Sequence, residues 1–367
     1  MNIQWQQTDN YVIGRTNNIS LKNKKIAAFD LDDTLITTKS GSDFAIDEND
    51  WQLYNIKPKL NKLVADGYCL VIISNQLGIT KGKTDPEMWK KKLHNIINDI
   101  GIAFTILVAL KDDMYRKPRT KLWDEFINGD KTTSFYVGDA GGLGKRKING
   151  NEIKKDFSDT DLKFALNVGI KFIHRDEFVW NVKNLKFKLE PITITNQSRN
   201  EFTPNNSNKP EMIINVGLPA SGKSSFSYKY IVHHGYEYIN RDTLKTQKKC
   251  LIKTEKALKN GNSVIIDNTN VTIMERQPYI ELAKKYNIQC RCLVFTTPKE
   301  ICIHNNYYRN FITNNAVSVI PQIVYNMMNK KYEEPKLLEG FYEINKIDFN
   351  PRFKNDDEKR IYQMHFI

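Results

Sequence analysis

Short apolar runs alternate with longer amphipathic stretches along most of this chain, a pattern that predicts the strands and helices of α/β units. In the first half, from about Ile26 to Trp180, KKIAAFDLDDTLI reads as a buried strand running into acidic residues. A helix over about Lys57–Asp66 follows, then the strand YCLVIISNQ, a helix over about Pro86–Ile100, and the strands FTILVAL and FYVGDAGG. From about Glu211 to Phe349 the pattern resumes: the strand EMIINVG, a glycine-rich turn, a helix, the strand SVIIDNT, a helix and the strand CRCLVF. Between the halves, LEPITITNQSRNEFTPNNSNKPE is rich in Asn, Ser, Thr and Pro and mostly lacks helical periodicity. Residues 191–209 are therefore expected to be a linker, in which PITIT could dock as a short strand. No internal repeat is visible. The expectation is an α/β fold in two domains, residues 1–190 and 210–367, each a mostly parallel sheet flanked by helices.

Composition narrows this picture little. A length of 367 residues suits two domains, or three at most, at about 100–200 residues each. Hydrophobic residues at 40% and charged residues at 26% fit a soluble globular chain. No stretch of about 18 apolar residues occurs, so no transmembrane helix and no membrane partner are expected. The start, MNIQWQQTDNY, lacks the apolar core of a secretory leader, and nucleus or cytoplasm is the expected location. The formal charge is +13, from 55 Lys and Arg against 42 Asp and Glu. Such an excess suits a polyanionic partner, and equally a solvated lysine face. The five cysteines, Cys69, Cys250, Cys290, Cys292 and Cys302, are odd in number and scattered, which fits a reducing compartment. Cys290 and Cys292 should point the same way on a strand; without further ligands at zinc spacing they read as structural.

Candidate chemistry is concentrated at strand ends. Asp30, Asp32 and Asp33 follow the first buried strand within four positions. Open α/β sheets place ligands at such carboxyl ends, and clustered carboxylates call for a cation such as Mg²⁺. An acidic turn with an Asx cap is the plain alternative. Ser74 ends a second strand, Lys117 precedes a proline, and Asp139 ends a further strand. The order acid, hydroxyl, lysine, acid resembles the haloacid dehalogenase (HAD) phosphotransferases. That resemblance implies Asp30 as the nucleophile forming an aspartyl-phosphate, and Asp32 as general acid and then base. Ser74 and Lys117 would bind phosphoryl oxygens, and Asp30, the backbone carbonyl of Asp32 and Asp139 would hold Mg²⁺.

In the second half, Gly217-Leu218-Pro219-Ala220-Ser221-Gly222-Lys223-Ser224 fits G-x-x-x-x-G-K-[ST] between a strand and a helix. Its backbone amides would cradle the phosphates of ATP, Lys223 would bridge the β- and γ-phosphates, and Ser224 would ligate Mg²⁺. Asp242 is the candidate base for an accepting hydroxyl, unless it merely caps a helix TLKTQKKCL. Arg241 could hold a substrate phosphate. Asp267 ends a strand near the Mg²⁺ position, and Arg309, on a helix, could neutralise the transferring phosphoryl group, unless it is simply solvated.

A HAD phosphatase followed by a P-loop kinase resembles the polynucleotide kinase 3′-phosphatase family. FDLDDTLITTKSG, NDWQLY, VIISNQLGI, YRKP, VGDAGG and KKDFSDTDLKFALNVGIKF follow its phosphatase half in order. GLPASGKSSF, NRDTLKTQKKC, VIIDNTN, CRCLVF, HNNYYRNF and YEEPKLLEGFYEI follow its kinase half. The resemblance spans most of residues 24–349. It implies removal of 3′-phosphates and ATP-dependent phosphorylation of 5′-hydroxyls on DNA, with RNA a second possible substrate, and a basic groove for the phosphate backbone. Lys145-Arg146-Lys147 and Lys154-Lys155 are candidates for that groove or for plain surface charge. Three departures stand out. Asp33 occupies a position where the family usually has glycine. Asn329 stands where an arginine often serves adenine. About 25 residues precede the first catalytic strand, too few for the phosphopeptide-binding module of mammalian-type members; a monomer is expected. A small-molecule kinase-phosphatase and a catalytically dead nucleic-acid binder remain the alternatives.

Overall fold

The computed structural model describes residues 1–189, 204 and 209–366. The expected linker strand PITIT lies outside the described residues, as does most of the expected linker. The chain falls into two compact units, one comprising Met1–Pro191 with Gln363–Ile367, the other Ile192–Tyr362.

Among the described residues, the first unit contains strands β1 (Gln4–Gln7), β2 (Tyr11–Arg15), β3 (Ile26–Phe29), β4 (Ile36–Thr37), β5 (Gln52–Leu53), β6 (Cys69–Asn75), β7 (Thr105–Ala109), β8 (Phe135–Gly138), β9 (Arg146–Ile148), β10 (Asn151–Ile153) and β11 (Lys171–His174). Seven of them form one sheet in the order β1-β2-β7-β6-β3-β8-β11. From β7 to β11 every pairing is parallel, and the β1–β2 hairpin adds two antiparallel strands to the β7 edge. The strand order reverses direction beside β3, so the carboxyl ends of β3, β6 and β8 open into one crevice.

Alternation along the strands sorts the core. Ala27, Phe29, Leu70 and Ile72 pack on one face with Leu60, Trp89 and Leu93. Ile26, Ala28, Val71 and Ile73 pack on the other with Leu122, Trp123 and Phe164. Both faces are thus covered by helices, which is why these strands read as continuous apolar runs. The helix Pro86–Ile100 is well delimited: Asp85 accepts the Met88 amide at its start, Pro86 opens it, and Gly101 ends it at φ 76°.

The second unit contains β12 (Glu211–Val216), β13 (Glu237–Ile239), β14 (Val264–Ile266), β15 (Gln289–Phe295) and β16 (Glu343–Ile347). They form a five-stranded parallel sheet in the order β13-β14-β12-β15-β16. Met212, Ile214 and Val216 face one apolar cluster and Ile213 the opposite one. Cys290 and Cys292 are both buried in the first of these clusters, as their spacing predicts. Several features differ from the sequence expectation, among them the sheet strands β11, β13 and β16, which it did not name. The β1–β2 hairpin was not signalled, because QWQQ carries one apolar residue and sits at an edge where only one side needs covering. The segment TLKTQKKCL is not one helix: Arg241–Leu244 ends at Lys245, whose φ is 71°, and Gln247–Lys259 begins anew with Thr246 as its cap.

Candidate active sites

The first site is built where β3 ends. Asp30 is fixed by its amide bonding the Val137 carbonyl at 2.9 Å. Leu31 and Leu35 are fully buried and anchor the turn after it, and the Leu31 carbonyl gathers the amides of Thr34, Leu35 and Ile36. The two aspartates between those anchors project from the turn. Asp33 sits at φ 55°, a left-handed conformation that favours glycine and that Asp tolerates better than most residues. Its carbonyl accepts a 3.0 Å bond from Arg175.

Lys117 joins the site from the far side. The residue is 3% exposed, and its ammonium donates to Asp30 Oδ1 at 2.6 Å, to the Tyr136 hydroxyl at 2.6 Å and to Asp161 Oδ1 at 2.7 Å. Asn75 secures its backbone, accepting the Lys117 amide at 3.0 Å and donating to its carbonyl at 3.1 Å. Burial alone would depress the Lys117 pKa; the Asp161 and Asp30 carboxylates outweigh it, and the value stands above normal.

One carboxylate oxygen each from Asp30, Asp139 and Asp161 lies within 4.8 Å of the others. Burial raises the Asp30 pKa well above the carboxylate range; Lys117 opposes this, while Asp161 and Asp139 add to it. Burial and then Asp161 push Asp139 up to about 7, with Arg175 opposing. Three clustered oxygen donors, short of positive charge, suit a hard divalent cation such as Mg²⁺.

Behind this cluster lies a buried polar layer. His174 is fully buried; its Nε2 donates to the Asp139 carbonyl at 2.9 Å and lies 3.2 Å from Asp156, while Nδ1 accepts the Asp176 amide at 3.1 Å. Arg146 pairs with Asp156 at 2.9 Å and with Asp176. Arg146 is therefore committed inside the unit rather than free for a nucleic-acid groove, whereas Lys145 and Lys147 are exposed.

The Asp32 side chain stands apart from the three-carboxylate cluster. Its Oδ2 accepts from Gln76 Nε2 at 2.7 Å and its Oδ1 from Lys92 at 3.1 Å. Gln76 Nε2 also donates to Ser74 Oγ at 3.0 Å, and Ser74 is buried at the end of β6. The crevice thus gathers Asp30, Asp32, Ser74, Lys117 and Asp139. Sequence reasoning missed Asp161, Tyr136, Gln76 and Lys92. Asp161 and Gln76 did lie in tracts, KKDFSDTDLKFALNVGIKF and VIISNQLGI, that resemble the family's; Tyr136 and Lys92 carried no such signal.

The second site surrounds the glycine-rich turn after β12. Ala220 and Gly222 take φ of 56° and 97°, which curls the loop so that its amides converge. Thr297 Oγ1 and Asn305 Nδ2 hold the loop from outside, donating to the carbonyls of Ser221 at 2.8 Å and Ala220 at 2.9 Å. The Tyr362 hydroxyl in turn donates to Asn305 Oδ1 at 2.6 Å. Lys223 folds onto its own loop, donating to the carbonyls of Gly217 at 3.0 Å and Leu218 at 2.6 Å. Burial pulls its pKa down to about 8, with Asp267 opposing and Arg309 reinforcing the fall.

Asp267 ends β14 in a dense set of donors: Ser224 Oγ at 2.5 Å, Asn215 Nδ2 at 2.9 Å and the Tyr238 hydroxyl. Ser224 and Asp267 are thereby adjacent, as a shared cation would require. Asn240, not Asp242, caps the helix Arg241–Leu244, accepting the amides of Asp242 at 2.8 Å and Thr243 at 3.3 Å. The Asp242 carboxylate is exposed and has no capping duty, which removes the structural alternative for it. Arg241 is likewise exposed. Arg309, on the helix Lys299–Ile312, touches Asn306 at 3.4 Å, and its buried Nε has no partner among the described residues. A guanidinium held this loosely is suited to an incoming anion.

Residues 25–179 match the family model described as polynucleotide kinase 3 phosphatase, and residues 250–335 match an AAA domain model. The chain is 36% identical to the bifunctional polynucleotide phosphatase/kinase of Schizosaccharomyces pombe, over 95% of this chain and 85% of that one. It is 37% identical to a protein of Acanthamoeba polyphaga mimivirus, over 95% of this chain and 90% of that one. A polynucleotide 3′-phosphatase of Arabidopsis thaliana is 34% identical over 42% of this chain and 24% of its own length. The phosphatase crevice, the phosphate loop and these similarities together place the chain in the bifunctional polynucleotide phosphatase/kinase family.

Proposed function

We propose that this protein heals broken DNA ends: it removes a 3′-phosphate in the first unit and phosphorylates a 5′-hydroxyl with ATP in the second. The observation that carries this reading is the joining of Asp30, Lys117 and Asp161 through one buried ammonium beside Asp139. In the first unit Asp30 attacks phosphorus, and the P–O3′ bond breaks. Asp32 gives its proton to the departing 3′ oxygen, producing a 3′-hydroxyl and an aspartyl-phosphate. Asp32, now a carboxylate, takes a proton from water as that water attacks phosphorus, and the bond to Asp30 breaks to release phosphate. Lys117 and Ser74 bind the phosphoryl oxygens as charge redistributes. Asp30, Asp139 and the Asp32 carbonyl would hold Mg²⁺, with Asp161 beside them. When bound, the ion supplies charge neutralisation at the phosphoryl group.

In the second unit the loop Gly217–Ser224 cradles the nucleotide phosphates, and Lys223 leaves its carbonyl partners for them. Ser224 and Asp267 would hold the nucleotide's Mg²⁺. Asp242 accepts the proton of the 5′-hydroxyl as it attacks the γ-phosphorus in line, Arg309 offsets the charge of the transferring group, and Arg241 binds a substrate phosphate. The test uses a nicked DNA duplex carrying a 3′-phosphate and a 5′-hydroxyl, with an RNA-containing nick in parallel. Both ends are followed by mass with Mg²⁺ and ATP. Asp30→Asn should lose only 3′-phosphate removal and Lys223→Ala only 5′-phosphorylation. A wild type that leaves both nicks untouched while converting free nucleotides would refute the polynucleotide reading.

A further inference from the structure

The helix Pro86–Ile100 buries Trp89, Leu93, Ile96, Ile97 and Ile100 along one stripe. Lys92 lies in the same buried set and is only 5% exposed. A lysine among core residues is costly unless its charge is compensated. Its ammonium meets Asp32 Oδ1 at 3.1 Å, while Gln76 occupies Oδ2 at 2.7 Å and ties it to Ser74. Each oxygen of the Asp32 carboxylate therefore has its own donor. An ammonium has no lone pair, and the Gln76 nitrogen cannot accept either.

We propose that Lys92 and Gln76 are positioning residues that seat Asp32 so that its proton is directed to the leaving oxygen and its charge is stabilised as the proton departs. When Asp32 is neutral, neither donor can accept its proton, and the leaving oxygen of the substrate is the acceptor at hand. As that proton moves, negative charge grows on Asp32 between a buried ammonium and an amide already in place. The interaction is therefore stronger in the transition state than in the ground state, which is the condition for accelerating the step. Gln76 links the same carboxylate to Ser74, so the acid and the phosphoryl-binding hydroxyl keep one spacing. This inference rests on the 3′-phosphatase reading and adds the residues that make Asp32 an acid.

The test compares leaving groups. An oligonucleotide 3′-phosphate expels an alkoxide, which needs the proton; p-nitrophenyl phosphate expels a stable anion, which does not. Lys92→Met keeps the length and apolar stem of the side chain, and Gln76→Leu acts from a half-buried position. General acid catalysis contributes about 10²–10⁴-fold. Each variant should therefore slow oligonucleotide dephosphorylation at least tenfold through kcat, with KM little changed. The pre-steady-state burst of p-nitrophenolate should keep its rate, and Lys92→Arg should restore part of the loss. An equal fall in the burst and in the oligonucleotide rate would reduce Lys92 to a packing role and overturn the proposal. So would oligonucleotide rates within about twofold of wild type. Should the wild type ignore the oligonucleotide but hydrolyse a 3′-nucleoside monophosphate, the polynucleotide reading falls. The same comparison on the mononucleotide, which expels the same alkoxide, still decides the role of Lys92.

Discussion

Asp161→Asn tests the charge balance of the phosphatase crevice. The change removes one carboxylate charge with almost no change of shape. At an effective dielectric constant of about 20, the 2.7 Å pair of Asp161 with Lys117 is worth about 6 kcal/mol of attraction. The other two carboxylates, within 4.8 Å, each oppose Asp161 by about 3.5 kcal/mol when ionised. The two sums nearly cancel, less so to the extent that burial keeps Asp30 or Asp139 protonated. Lys117 also keeps Asp30 and Tyr136 as partners. Without Mg²⁺, the first unit should therefore lose less than about 2 kcal/mol, below the 3–5 kcal/mol of a simple broken buried pair. Activity responds differently. The lysine's charge, no longer shared, settles on Asp30, and 3′-phosphate removal should fall roughly 10–100-fold. Kinase turnover is the internal control and should stay near wild type. All five tryptophans (Trp5, Trp51, Trp89, Trp123 and Trp180) lie in the first unit, so their emission in urea with chelator reports that unit's unfolding. A loss of 4 kcal/mol or more, or an unchanged phosphatase rate, would refute the charge-balance reasoning.

Three further expectations follow. Asp33→Gly should match or exceed wild-type stability by up to about 1 kcal/mol, while Asp33→Ala should be about 1 kcal/mol less stable than the glycine variant, because only glycine adopts φ 55° freely. Burial raises the Asp33 pKa, so its ionised form burdens the fold; the glycine variant's advantage should shrink as urea titrations move from neutral pH down through that raised pKa. Nucleotide phosphates should raise the depressed Lys223 pKa of about 8, so MgATP binding should take up protons near pH 8–9; calorimetry in two buffers of different ionisation enthalpy reads this, and proton release would contradict it. Burial pushes the Cys292 and Cys302 thiols up to about 12, so at pH 8 both should resist iodoacetamide until urea is added, with half-buried Cys69 alkylated first in a mass-spectrometric time course.

Chemistry that a strand must deliver to its own carboxyl end was legible in the sequence. Asp30, Ser74 and Asp139 follow apolar runs that cannot be anything but buried strands, and the phosphate loop is written in consecutive residues. The partners of those groups were not legible, because they arrive from distant elements. Asp161 reaches Lys117 across 44 positions and Lys92 reaches Asp32 across 60, and no local pattern specifies either meeting. Lys92 even breaks the pattern that reveals its helix, since a charge on an apolar stripe reads as noise until its partner is seen. Arg146 shows the opposite failure: within a basic run it looks like a surface contact, yet Asp156 and Asp176, both nearly buried, claim it. Asp242, read as a candidate base, had a helix cap as its plain alternative because Asp often is one, but Asn240, two residues earlier, holds that post.

Gly138, the last residue of β8, has a consequence for which sequences this crevice can accept. A methyl group built on it would stand 2.3 Å from Asp161 Oδ2, 2.5 Å from its Cγ and 2.6 Å from its Cβ. The bare backbone is what lets a carboxylate from another element press against the strand beside Asp139. Even alanine would displace Asp161 and loosen its hold on Lys117. In a library of all substitutions scored separately for the two activities, position 138 should therefore be among the least permissive for 3′-phosphate removal and nearly silent for 5′-phosphorylation. A residue with no reactive atom would then score like a catalytic one, and the two scores together would tell space-keeping from chemistry.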